Sequence, residues 1–219
     1  MNQRFVTCFA TVLLFSAAAF ADGVISANDA VFQVRYASNL AVGDSVINIT
    51  NDGTAALPNP GGNLCVNVYT FSPDEQLISC CSCVVTPNAL ISLSARNDLI
   101  SNTLTPGVPT SIVIKLVSSS NYPNQTTAAY CNASTVTAGP GTNLTRGMRA
   151  WGTTIHALPV TSGTPATTYG VTETAFTNAA LSEAELTRIT TLCGFIQTNG
   201  SGFGICKSCR FGGLAAVEQ

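Results

Sequence analysis

Cysteine is the residue whose chemistry this sequence displays most openly. Nine occur in 219 residues, three of them in Cys80-Cys81-Ser82-Cys83 and two in Cys206-Lys207-Ser208-Cys209. Such clusters have three uses. The spacing of Cys206 and Cys209 is that of a dithiol redox site, where Lys207 and Arg210 would lower a thiol pKa. Thiolates drawn from both clusters would suit zinc or an iron–sulfur centre. Structural bridging is the third use. A thioredoxin-type site follows a strand and opens a helix, whereas Cys206 and Cys209 follow a glycine-rich loop. The cluster spacing also matches no standard ligand pattern. Bridging is therefore the expected use, with no cofactor and no metal.

The arithmetic of the first residues agrees. Residues 1–21 read as a secretory leader: Arg4, then the uncharged run 5–20, then the small-x-small pattern Ala19-Phe20-Ala21. That run is short of the roughly 20 apolar residues that span a bilayer, so cleavage after Ala21 is expected, with no membrane span afterwards. Cleavage removes Cys8 and leaves an even set: Cys65, Cys80, Cys81, Cys83, Cys131, Cys193, Cys206 and Cys209. In an oxidising compartment these eight read as disulfide partners.

Other chemistry is thin. His156 is the only histidine, and no Gly-x-Ser-x-Gly elbow presents a serine to it. Glu173, Glu183, Glu185, Asp74, Glu75 and Asp98 are the main carboxylates. Of these, Asp74 and Glu75 lie in a turn, while Glu183 and Glu185 serve a helix start. A glycosidase pair needs no sequence proximity, but nothing singles one out. Asn48, Asn124, Asn132, Asn143 and Asn199 each open an Asn-x-Ser/Thr triplet, little more than this composition yields by chance. Trp151, Tyr69, Tyr122, Tyr130 and Tyr169 could form a sugar-stacking platform, although buried sandwich aromatics are the commoner arrangement. No phosphate loop, haem motif or calcium loop is present.

The elements that must position these residues are mostly strands. Residues 31–36, 46–50, 64–71, 77–85, 89–94 and 111–117 are short β-rich runs separated by turn signals, among them Asn51-Asp52-Gly53. Residues 118–145 are rich in Ser, Thr, Asn and Gly and read as loop, tied down by Cys131. Residues 151–158 and 168–176 suit a hairpin. One helix is well signalled: Ser182 with Glu185 forms a capping box, and Leu181 with Leu186 a hydrophobic staple. Leu186, Ile189, Cys193 and Ile196 recur at helical spacing, which turns Cys193 to the core, and Asn199-Gly200 ends the run.

A turn at residues 72–76 makes opposed residues of the flanking strands sum to a constant that sets Cys65 against Cys83. Cys81 then shares their face and Cys80 points away. A bridge from Cys65 to Cys83 or Cys81 follows, with Cys131 paired to Cys193. Cys206 and Cys209 would join the remaining cysteines of the 80–83 cluster.

Composition narrows the function classes. Nine Lys+Arg against 11 Asp+Glu leave no excess for neutralising phosphates, which excludes a basic nucleic-acid binder. With 46% hydrophobic and only 9% charged residues, disorder is excluded too. Serine, threonine and asparagine make up 60 of the 198 residues after Ala21, so neutral hydroxyls and amides cover the surface, as in cell-surface and matrix proteins.

The segments 48–51, 64–69, 80–83, 97–104 and 202–210, with their Cys-Cys-x-Cys and Cys-x-x-Cys-Arg patterns, resemble a group of uncharacterised exported bacterial proteins. The resemblance implies export and a bacterial envelope setting, and it carries over no catalytic residue.

The expected fold is mainly β: an immunoglobulin-like sandwich in residues 22–120, and a smaller disulfide-tied part in 121–219 with a hairpin and one helix, packed on the sandwich. The expected function is an exported, non-enzymatic structural or adhesive protein that self-associates, secreted or held in the periplasm or at the cell surface. The alternatives are a carbohydrate-binding module with a glycan partner, or a thiol redox or metal-binding protein.

Overall fold

The computed structural model describes residues 23–54, 62–120, 131–137, 142–159 and 168–207. The leader, Tyr122, Tyr130, Cys209 and the expected hairpin turn lie outside the described residues. Eleven strands and one α-helix follow in order: β1 Gly23–Ile25, β2 Phe32–Ala37, β3 Val46–Asn51, β4 Leu64–Phe71, β5 Leu77–Val85, β6 Leu90–Ser94, β7 Ile112–Ser120, β8 Met148–Ala157, β9 Tyr169–Ala175, β10 Thr177–Asn178, β11 Leu181–Ser182 and α1 Glu183–Thr198. The six early runs, the hairpin and the helix all form where their residue patterns place them, β4 and β5 with the expected ends. A π-helical turn over Ala95–Leu99 had no sequence signal.

The strands build two antiparallel sheets that pack together. The larger has the order β10-β2-β7-β4-β5 and the smaller β6-β3-β8-β9, while β1 pairs with β11 apart from both. Ile47 and Ile49 of β3, Val66 and Val68 of β4, Ile114 and Leu116 of β7 and Met148 of β8 fill the space between the sheets. The other face of the larger sheet is covered as well. Tyr69, Phe71, Cys80 and Val117 meet Leu186, Ile189, Cys193 and Ile196 of α1. The result is three layers, with the larger sheet in the middle. All eight residues of β4 are buried, because that strand has a hydrophobic neighbour on each face.

The expected division at residues 120 and 121 does not follow the sheets. The β8–β9 hairpin is half of the smaller sheet, with β8 hydrogen-bonded to β3 from Ile47↔Gly152 to Asn51↔Met148. Strands from both sides of that division therefore share one core.

Helix α1 is fixed at its start by Ser182, whose Oγ accepts the Glu185 N–H at 3.2 Å. The Glu185 carboxylate bonds across the layers instead of only closing the cap: Lys115 of β7 donates to it at 2.7 Å, and Arg188 Nε donates at 2.7 Å. Both cations lie over the Phe71 ring, at 4.7 and 5.6 Å from its centroid. This cluster and the Leu186–Ile196 stripe hold the helix on the sheet.

Candidate functional site

The cysteines bridge in a pattern set by one irregularity in β5. Phe71 pairs with Leu77 as the turn requires, but Thr70 pairs with Ser79, so Ile78 is left unopposed. Beyond this bulge every pair is moved by one residue. Cys65 faces Val84, and Cys83 faces Val66. A one-residue slip puts Cys65 on the other face from Cys83. The expected Cys65 bridge to Cys83 or Cys81 is thereby replaced by Cys65–Cys131, with Cα atoms 5.3 Å apart. Cys131 is consequently not the partner of Cys193, which bridges Cys80 at a Cα separation of 5.9 Å.

Cys81 does lie on the Cys83 face, within the core between the sheets, and bridges Cys206 at 5.4 Å between Cα atoms. Adjacent residues of one strand thus anchor the helix on one face and the segment after it on the other. That segment also runs along the β5 edge: the Cys80 N–H donates to Gly204 O at 2.8 Å. Cys83 is disulfide-bonded too. Three described bridges are what an oxidising, extracytoplasmic compartment produces. With Cys206 bonded to Cys81 and fully buried, the Cys206-x-x-Cys209 spacing is not a closed redox pair.

The remaining sequence candidates stay apart. His156 is half-buried in β8 opposite Gly170 and bonds no side chain among the described residues. Glu173 accepts from Asn48 Nδ2 at 3.3 Å, Asp98 accepts the Ser94 N–H at 2.6 Å, and Asp74 accepts from Ser72. Glu75 stands in the same turn at a positive φ of 65°, and Glu183 is exposed in the first turn of α1. Among the described residues no three His, Cys, Asp or Glu side chains converge on a metal position. No described helix is long and apolar enough to cross a membrane. Tyr69 leaves the aromatic platform: it is fully buried, and its hydroxyl donates to Ala133 O at 2.6 Å. Its burial raises its pKa well above the ordinary range. Trp151 is half-buried, and Tyr169 is 40% exposed at the far end of the hairpin.

Sequence reasoning passed over Arg35. In β2 the apolar residues Phe32 and Val34 pack toward the helix layer, so Gln33 and Arg35 point between the sheets. Arg35 is 7% exposed, yet every acceptor it uses is neutral. Nη1 donates to Thr174 O and Oγ1 at 2.6 and 2.9 Å. Nη2 donates to Gly152 O at 2.5 Å and Thr154 Oγ1 at 2.7 Å. Nε has no partner. Gly152 permits this approach, since a Cβ there would sit 2.6 Å from Val46 O and 3.4 Å from Arg35 Nε.

Burial holds the Arg35 pKa below its usual value, and Glu173 opposes the shift from a distance. The Phe176 ring, 5.6 Å from the guanidinium carbon, returns about 1 kcal/mol, against several kcal/mol for burying an unpaired ion. Four charge-assisted hydrogen bonds offset much of that cost. Beside the guanidinium opens a groove of about 430 Å³.

A second feature lies on the same side. Every residue of β9 except Gly170 is exposed, on both faces of the strand, including Val171 at 63%. Its one ladder partner among the described residues is β8, so no described strand pairs with its outer edge.

The fold and its bridges define a class, a disulfide-linked protein of two packed antiparallel sheets with a helix layer over the larger. Comparison with protein-family models, with curated proteins and with solved structures returned no match.

Proposed function

We propose that this chain is an exported, non-enzymatic structural or adhesive protein of the cell surface or extracellular matrix, self-associating through β9. The observation that carries the reading is the β9 edge, which no described strand covers. Proteins that must stay apart blunt such edges with lysine, proline, a bulge or brevity. β9 is seven residues long, holds one charge, Glu173, and lacks proline and lysine. The β5 edge, by contrast, is covered by residues 204 and 205. A low-charge surface, with 9% charged residues overall, gives little repulsion between copies.

Sedimentation of the oxidised, leader-free protein over a wide concentration range tests the reading. Reversible association is expected, and Val171→Lys should shift it to at least tenfold higher concentration, by about 1.4 kcal/mol. A wild-type protein that stays monomeric, or a variant that associates as well, refutes the edge as the joint.

A further inference from the structure

The smaller sheet ends on β9 at one side and on β6 at the other, and no described strand pairs with either outer edge. The larger sheet differs: residues 204 and 205 run along β5, and β10 has only two residues. β6, Leu90-Ile91-Ser92-Leu93-Ser94, carries no charge and no proline, and its ladder with β3 has no bulge. Leu90 is 55% exposed. An edge of this kind is fit to pair with another chain.

The two edges of the smaller sheet match each other. Every neighbouring pair of its strands is antiparallel, so β6 and β9 run in opposite directions. A copy moved along the sheet, without being reversed, therefore brings its β6 antiparallel to β9. The hydrogen-bonding phase agrees, since alternate residues of an antiparallel strand bond to alternate sides. The Ala95 N–H donates to Ser45 O, which turns the N–H and C=O groups of Leu90 and Ser92 away from β3. The bonds from Leu158 N–H to Thr168 O and from Phe176 N–H to Ala150 O likewise turn those of Val171 and Glu173 away from β8. The faces agree too. Glu173 and Ser92 both bond Asn48 on the side away from the core, while Ile91 and Leu93 point into it.

Charge selects between partners. A β9 paired along its whole length with a second β9 sets Val171 opposite Glu173, and leaves the two Glu173 carboxylates a diagonal apart, about 7–8 Å, on one face. Like charges at that spacing oppose the joint, whereas β6 itself holds none. Asp98 and Asp44 bond Ser94 at one end of β6, so Glu173 takes the Leu90 end. We propose that β9 of one copy pairs with β6 of the next, so that copies join head to tail in one continuous sheet. The inference rests on the reading of β9 as the joint and names its partner. Such a contact is heterologous, and association does not stop at two copies.

Sedimentation of the oxidised, leader-free protein tests it, with Val171→Lys blocking β9 and Ser92→Pro blocking β6. The Ser92 N–H points outward, so proline there leaves the β3 ladder whole. Wild type should grow past the dimer as concentration rises, and each variant alone should need at least ~10-fold more protein to associate. Mixed in equal amounts, with one fluorescently labelled, the variants should pair one to one at wild-type concentrations, because each supplies the edge that the other lacks. Leu90→Asp, at an exposed position that meets Glu173, serves if Ser92→Pro does not fold. A β6 variant that associates as wild type, while Val171→Lys does not, would overturn the β6 partner and leave β9 joined to itself. Mixed variants that stay apart, or a wild type that stops at the dimer, would overturn it as well. A wild type that stays monomeric refutes β9 as the joint, and this pairing with it.

Discussion

At the residue scale, Glu185 carries more than its place in a cap suggests. Its carboxyl is held down to about 2 from an ordinary 4.5, first by the Arg188 hydrogen bond and then by Lys115, while partial burial pulls the other way. A carboxyl with a depressed folded-state pKa stabilises the fold above its unfolded value, and that contribution disappears as pH falls through the folded one. The window here runs from about 4.5 down to about 2. Glu185→Gln should therefore cost about 2 kcal/mol near neutrality, after allowance for solvent screening of its exposed quarter. The two proteins should converge near pH 2. Urea unfolding across that range measures the difference, and a gap that persists undiminished at the acid end would mean that the ion pairs are not its source.

Asn67 illustrates a different residue-scale demand. It is fully buried in β4, where Nδ2 donates to Val117 O and Ser119 Oγ at 2.9 Å and Oδ1 accepts from Ser82 at 2.8 Å. A buried amide survives only when its donors and acceptors are met, and here all three partners come from flanking strands. Arg35 meets the same demand only in part, since its Nε finds no partner among the described residues. Its residue type gave no warning. Arg35 sits in an alternating run whose apolar members, Phe32, Val34 and Tyr36, look like the core face. Alternation fixes which residues share a face, but it cannot say which face meets the second sheet when both are covered.

At the element scale, the bulge in β5 decides the disulfide pattern. Strand ends, the hairpin and the helix were legible because periodicity, turn residues and caps act locally. The phase of β5 was not, since a single unopposed residue, Ile78, leaves no mark in Leu77-Ile78-Ser79, where two adjacent apolar residues suit either register. Deleting Ile78 offers a direct test. The ladder from Thr70↔Ser79 to Leu64↔Val85 is already regular, so removal should join Leu77 to Ser79 without moving Cys80 or Cys81. Peptide mapping should return Cys65–Cys131, Cys80–Cys193 and Cys81–Cys206 unchanged. The loss of a fully buried isoleucine should appear as about 3 kcal/mol. Scrambled bridges in the deletion variant would show that Ile78 itself, and not only the count of residues after the turn, holds the ladder in phase.

At the scale of the whole molecule, the bridges stabilise by what they deny the unfolded chain, and their order of importance is not the order of their spans. Taken alone, Cys65–Cys131 closes 66 residues and Cys80–Cys193 closes 113, worth about 4 and 5 kcal/mol respectively in chain entropy. The neighbouring Cys81–Cys206 bridge changes this. With it intact, the unfolded chain already holds Cys80 beside Cys81 and Cys193 only thirteen residues before Cys206, so Cys80–Cys193 closes an effective loop of about 14 residues, worth about 3 kcal/mol. No such shortcut serves Cys65–Cys131, because the path through Cys80 and Cys193 is longer than its own loop. The shorter bridge should therefore contribute about 1 kcal/mol more than the longer one. Denaturant unfolding of Cys65→Ala/Cys131→Ala against Cys80→Ala/Cys193→Ala measures this, with the same pairs compared under full reduction to subtract lost packing. A larger cross-link effect at Cys80–Cys193 would mean that the bridge acts through the native layers, by pinning α1 to β5, rather than through the unfolded chain.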